Sequence, residues 1–173
     1  MAATAKRRAL LEAMGRRVLY EGMLASLYQR ALEKLESLGF DEDTAPLQES
    51  LRQKRAHAEL LRRFASSEAL RTERGRGSEG WILEEAVASA RDAAHVLRIL
   101  ELAETENEGG WEHLADLAVR AGEGRLAKAS TDPLAEERLE REALRRLIKR
   151  AEASQTIRVL RPREAGHARP RRA

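Results

Sequence analysis

Apolar residues return along this chain at alternating three- and four-residue steps, the spacing of one face of an α-helix. Between Lys6 and Leu38 the seam reads Leu11, Met14, Val18, Ala25, Tyr28, Leu32 and Leu35, as antiparallel bundles require. Gly39 follows as a left-handed cap. A polar turn from Asp41 to Thr44 leads to Pro46, in the first turn of the next helix. That second helix is predicted from Ala45 to Arg71. Its stripe is Leu47, Leu51, Ala58, Leu61 and Phe64 or Ala65, with Lys54 and His57 at one edge. The segment RTERGRGSEG, from Arg71, then breaks the pattern as a mobile connection, with Ser78 placed to cap the next helix.

A third helical reading runs from Trp81 to Gly122. Leu83, Val87, Ala90, Ala94, Leu97 and Leu100 share a face that then meets Glu104, Asn107 or Glu108, and Trp111, before returning to Leu114, Leu117 and Ala118. Uninterrupted, it would span roughly 60 Å at the rise of an α-helix, longer than its partners can cover. A bend is expected at Gly109–Gly110, since glycine costs about 1 kcal/mol in a helix interior. Gly122 and Gly124 end the run, and Asp132–Pro133 reads as an N-cap and first helical residue. The last helix is predicted from Pro133 to about Gln155, with Leu144, Leu147, Ile148 and Ala151 inward. Its acids come early and its bases late, which complements the helix dipole.

The expected fold is therefore all-α, an antiparallel four-helix bundle over residues 1–157 followed by a disordered Arg-rich tail over 158–173. Composition agrees: aromatics are 3 % and charged residues 35 % of the 173 residues, which suits helices better than a sheet. The absence of cysteine excludes disulfides, thiolate metal sites and a thiol nucleophile. No run of about 18 apolar residues occurs, and the amino terminus reads as neither a signal peptide nor an anchor. A cytoplasmic protein without membrane contact is the expectation. The net charge is +3. The segment from Arg158 onward holds six arginines against Glu164, a balance of +5, so the rest of the chain is about −2 by subtraction. Such a tail either solubilises the chain or binds nucleic-acid phosphates through salt-sensitive contacts.

Three polar residues stand where chemistry would need them. Glu21 falls at the core step between Val18 and Ala25; its carboxylate either turns to solvent by a small shift of register or serves a site. His57 lies four residues before Leu61, so its ring can face the interior as a hydrogen-bonded boundary residue or as a metal ligand. Glu104 interrupts the third stripe, with Glu101 and Glu108 as neighbours and Trp111 one heptad on. Two carboxylates and a histidine from three helices would suit iron or manganese. Lys54 beside Glu21 and Glu104 would instead replace a metal's positive charge by an ammonium. No phosphate loop, His-Glu-x-x-His, nucleophile elbow or dinucleotide fingerprint occurs.

A glutamate in mid-helix 1, a histidine in helix 2 and a glutamate followed by an aromatic in helix 3 resemble the ferritin-like superfamily, closest to its rubrerythrin-type and YciE-type members. The segment WEHLADLAVRAGEGRLA after ELAETENE is similar to the one that follows the helix 3 ligand in rubrerythrin-like domains. The resemblance covers about Leu10 to Ala153 and implies a metal site on Glu21, His57 and Glu104, with iron as the cofactor where it is filled. The family's Glu-x-x-His of helix 2 falls on Lys54-x-x-His57, and helix 4 offers Glu137-x-x-Glu140 with no histidine. Counted from the ends of their helices, Glu104 and Glu140 differ in height by roughly 15 Å unless the turn between the helices is itself helical, which places the helix 4 acids outside a shared site. The expected function is thus a non-catalytic structural or interaction module that has lost its dinuclear centre, with a protein partner or self-association. The alternatives are an iron-dependent oxidase, peroxidase or iron-handling protein, stress-related in character, and a nucleic-acid-associated subunit. The eight to ten residues expected between helices 2 and 3 are short for a crossover, so a simple up-down order competes with the ferritin-like one.

Overall fold

The computed structural model describes residues 2–65 and 80–160, with side chains from 5 to 65 and from 81 to 156. The elements are α1 (Ala2–Ser37), α2 (Ala45–Phe64), α3 (Gly80–Ser89), α4 (Ala93–Ala121), α5 (Gly124–Ala129) and α6 (Thr131–Leu160). The described chain is all-helical, and no helix in it is long and apolar enough to cross a membrane. The connection expected from Arg71, the Ser78 cap and the tail beyond Leu160 lie outside the described residues. The last helix reaches Leu160, two residues past the point where the tail was expected to begin.

Four long helices carry matching seams. On α1 the seam positions, all buried, are Leu10, Met14, Val18, Glu21, Leu24, Tyr28, Ala31 and Leu35; on α2 they are Leu47, Leu51, Lys54, Ala58 and Leu61. On α4 they are Leu97, Leu100, Glu104, Asn107, Trp111, Leu114 and Ala118. On α6 they are Glu137, Glu140, Leu144, Leu147 and Ala151, with Pro133 at the head. Every step is three or four residues, so each helix presents one stripe inward. Met14, Val18, Tyr28 and Leu35 of the expected α1 seam are buried, whereas Leu11, Ala25 and Leu32 are half-buried and Leu10, Leu24 and Ala31, each one residue earlier, fill the core.

Gly39 ends α1 with a φ of 64°, the left-handed conformation that favours glycine. The chain turns and α2 returns antiparallel, so that Leu47 and Leu51 join Leu35, and Leu61 joins Leu10 and Met14. The next long helix, α4, also runs antiparallel to α1. Tyr20 donates to the Ala103 carbonyl at 3.0 Å, Trp111 reaches back to Glu21, and Leu114 and Ala118 pack with Leu10. Hence α2 and α4 point the same way. The chain between Phe64 and Ala93 must carry it from one end of the molecule to the other. Part of that passage is α3, which lies along the second half of α1: Ser26 and Arg30 bond Glu84, and Lys34 bonds the Ala88 carbonyl. The simple up-down order is overturned because α2 stops at Phe64, leaving a connection far longer than expected.

The third helix breaks early, at Ala90–Asp92, and runs unbroken through Gly109–Gly110. Asp92 is extended and its carboxylate accepts from the His95 amide at 2.8 Å. That cap satisfies one of the first amides of α4 and makes the break less costly. The glycine pair lies between Asn107 and Trp111, both fully buried, whose packing holds the helix through it. The turn into α6 is helical as well. Ser130, not Asp132, precedes α6, and Pro133 occupies its first turn. Arg145 with Glu101, Arg138 and Arg141 with Glu108, and Arg98 with Glu152 fasten α4 antiparallel to α6.

Gly109 gives a direct test of the continuous helix, since an added Cβ there meets nothing within 4 Å. Gly109→Ala is expected to raise stability by about 0.5–1 kcal/mol through helix propensity alone. Urea or thermal unfolding measures it. A bend at this position would reverse the sign.

Candidate functional site

Halfway along the core the four inward stripes turn polar together. Glu21, Lys54, Glu104, Asn107 and Glu137 are completely buried; His57 and Glu140 are nearly so. These residues occupy seam positions that would otherwise hold leucine, so each charge must find its partner inside the protein.

Lys54 is at the centre of one half. Its Nζ donates to Glu104 Oε2 at 3.0 Å, to Glu137 Oε2 at 2.6 Å and, closer still, to Glu140 Oε2. An ammonium has three donors, and all three are taken by carboxylates from α4 and α6. Burial alone would lower the lysine's pKa; the charges of Glu104, Glu137 and Glu140 overcome it and hold the group firmly protonated. Asn107 Nδ2 adds a second donor to Glu104 Oε2 at 3.2 Å.

The other half is built on His57. Its Nε2 is 2.8 Å from Glu136 Oε2, on the solvent side. Its Nδ1 faces inward, 3.3 Å from Glu137 Oε1 and 3.6 Å from Glu21 Oε2. Glu21 is fixed through its other oxygen, Oε1, which accepts from Trp111 Nε1 at 2.8 Å and from Arg17 Nη2 at 3.2 Å. The Trp111 ring also meets the imidazole edge-on, with centroids 5.4 Å apart.

Charge balance explains the protonation pattern. Glu21, Glu104, Glu137 and Glu140 supply four carboxyls, and Lys54, His57 and Arg17 supply three cations. One proton more is needed for neutrality. Glu104 and Glu140 are the two carboxyls held above the usual range. Burial drives Glu104 well above the usual carboxylate range, against the pull of Lys54. Burial likewise lifts Glu140 to about 7, with Lys54 opposing and Glu137 adding to the rise. Burial would also raise Glu137, yet the neighbouring Glu104 carboxyl, the His57 imidazole and the Lys54 ammonium hold it well below the usual range. His57 is lowered by burial but lifted further by Glu137, Glu21 and Glu136, to about 10.

Among the described residues, two sets of ligand-type atoms lie within 4.8 Å of one another: Glu21, His57 and Glu137, and Glu104, Glu137 and Glu140. Glu137 belongs to both. The second set encloses the Lys54 ammonium. In the first set Glu21 Oε2, His57 Nδ1 and Glu137 Oε1 are all buried without a hydrogen-bond partner. Three orphaned buried atoms facing one point are costly unless something fills it. One nitrogen and two carboxylate oxygens suit Fe²⁺, Mn²⁺ or Zn²⁺. A bond from Nε2–H to Glu136 is the usual way a ligating histidine is oriented. These residues fit one divalent ion.

Of the residues expected from the sequence, Glu21 and His57 come together, and the solvent-facing reading of Glu21 is overturned. Glu104 lies instead on the Lys54 side, and Glu137 takes its place beside Glu21 and His57. Glu101 and Glu108 turn outward to Arg145, Arg138 and Arg141. The height argument against Glu137 and Glu140 fails because α5 makes the turn helical, so α6 rejoins α4 sooner than an extended loop allows. Extending the α6 stripe back from Leu144 by four and then three residues reaches both acids, which was the available signal. Arg17 and Glu136 carry no such signal, being ordinary charged residues in charged surroundings.

No family model matches the chain, and neither does any curated protein or solved structure.

The His57 environment sets a pH dependence for the metal-free protein. A folded pKa near 10 against an ordinary 6.5 means His57 contributes stability in full below about 6.5, and that this is lost as pH rises towards 10. Glu140, raised to about 7, adds a loss in the same direction between its ordinary 4.5 and 7. Melting temperature in the presence of a chelator is therefore expected to fall steadily from pH 6 to pH 10, in a range given by these two groups. His57→Gln should flatten the part above neutrality.

Proposed function

We propose that the chain is a ferritin-like four-helix bundle of α1, α2, α4 and α6 that acts as a structural or interaction module, in which an ammonium has replaced half of a dinuclear metal centre. The observation that carries this reading is Lys54 Nζ bonded to three buried carboxylates. The shared direction of α2 and α4, joined through the long connection that contains α3, supports the ferritin-like order. Two-metal oxygen chemistry needs two ions about 3.5–4 Å apart, and an ammonium supplies neither coordination sites nor electrons. What it does supply is charge: Lys54 pulls α2 onto α4 and α6 as a metal would.

The remaining set, Glu21, His57 and Glu137, would hold one divalent ion. When bound, that ion supplies fixed positive charge and coordination that ties α1, α2 and α6 together. The chain's own residues prepare the place. Trp111 holds one oxygen of Glu21, Glu136 orients the imidazole, and the Lys54 ammonium fixes the far oxygen of Glu137. The interaction role draws support from the adjacent Trp81 and Ile82, which stand 63 % and 55 % exposed on α3. A pair of large apolar side chains in water favours contact with a partner or a second copy of this chain.

Metal analysis of protein from iron- and manganese-replete cells, beside Lys54→Glu, tests the reading. One ion per chain is expected in the wild type and two in Lys54→Glu, with no iron oxidation above buffer in the wild type. Two ions in the wild type would overturn the role given to Lys54. None in either protein would remove the metal and leave the ammonium-centred core alone. Lys54→Met should cost about 3–5 kcal/mol in denaturant unfolding near neutral pH, because it leaves buried carboxylates without their cation.

A further inference from the structure

Arg17 lies one helical turn before Glu21 and is 6 % exposed. Its guanidinium does more than pair with that glutamate. Nη2 donates to Glu21 Oε1 and also to Asn107 Oδ1, in a very short contact, while Nη1 reaches the Asn107 carbonyl at 3.4 Å. Its Cζ stands 4.6 Å from the centre of the Tyr20 ring and 5.8 Å from that of Trp111. The guanidinium is thus held between two aromatic rings and tied to α4 at Asn107.

Its place exists because residue 110 has no side chain. A Cβ on Gly110 would stand 1.8 Å from Arg17 Nη1 and 2.9 Å from Cζ. The neighbouring Gly109 has open space around it. The two glycines are therefore not equivalent. The first is a neutral position on the outside of a helix; the second is a notch fitted to Arg17.

The consequence falls on Glu21. Its Oε1 is claimed by two donors from two directions, Trp111 Nε1 and Arg17 Nη2, so the carboxylate plane is fixed. That leaves Oε2 facing His57 and Glu137 with no partner of its own. Without the guanidinium, one donor remains and the carboxylate can turn about it. We infer that Arg17, seated in the notch of Gly110, is a positioning residue that aims Glu21 Oε2 at a divalent ion held with His57 and Glu137. The inference rests on the one-ion reading above and adds the pair that controls it. Groups that orient metal ligands are typically worth 10–100-fold in affinity.

The test uses the full chain, with Mn²⁺ as the metal probe in calorimetry and the Trp111 Nε1–H resonance as a metal-free probe. Trp81→Phe assigns that resonance, since the chain has only two tryptophans. Arg17→Met and Gly110→Ala are each expected to weaken Mn²⁺ binding about tenfold or more and to shift the Trp111 resonance. In the Arg17→Met background, adding Gly110→Ala should change neither quantity, because the alanine acts only by displacing the guanidinium. An equal effect of Gly110→Ala with and without Arg17 would overturn the inference, as would affinity and resonance unchanged in both single variants. Arg17→Lys keeps the charge but not the planar fork; wild-type affinity in that variant would refute the claim that geometry matters. If the wild type binds no Mn²⁺, the one-ion reading fails by itself, and the resonance still decides whether Arg17 holds Glu21.

Discussion

A charge taken out of water must be matched where it lies, and this molecule places one lysine and four carboxyls in the middle of its core. The Lys54 ammonium donates to three of them at once. Breaking such a set by removing one member is expensive, because the others remain buried and unpaired. The positions of α2, α4 and α6 relative to one another therefore depend on this contact more than on any single apolar pair. An apolar seam can slide by one step with modest loss, whereas three carboxylates can meet one nitrogen in only one arrangement.

The polar layer also divides the apolar core. On one side Leu24, Tyr28, Leu35, Leu47, Leu97 and Leu144 pack together; on the other are Leu10, Met14, Leu61, Trp111 and Leu114. Each cluster supplies the hydrophobic stabilisation that a layer of charges cannot. Between them Trp111 serves both, giving its ring to the second cluster and its Nε1–H to Glu21. Local helix signals and buried charges thus agree on one register, and the polar residues act as its key.

The same layer has two unlike halves. Where Lys54 stands, an ammonium occupies the centre and all three of its donors are taken by carboxylates. Around Glu21, His57 and Glu137, three buried atoms point at one another without a partner, and the imidazole is drawn to a protonated state to compensate. A half centred on an ammonium and a half without one, joined through Glu137, distinguish this site from a purely structural salt-bridge cluster. The half without a lysine is where an ion would be worth most, and Arg17 and Glu136 hold its ligands from outside.

The sequence by itself determined the helices and nearly all of their inward faces, because a period of three and four residues forces one side of each helix to be apolar. It also contained the polar layer. Glu21 and Glu104 visibly interrupt their stripes, and Lys54 sits four residues before Ala58 and three after Leu51. The meetings of Lys54 with Glu104 and of Glu21 with His57 were legible as well; tertiary structure alone brought Glu137 and Glu140 into the layer. The level of Glu137 and Glu140 depends on whether the turn before α6 is extended or helical, and the short helix α5 lifts both acids to Lys54. The direction of α4 depends on where α2 stops, and nothing local marked Phe64 as its end. The break before α4 falls at Asp92, whose side chain caps the new helix, while the helix runs on through Gly110, against which the Arg17 guanidinium lies. A glycine in a sequence permits a bend, but it permits close approach as well, and only the packing around it chooses between the two.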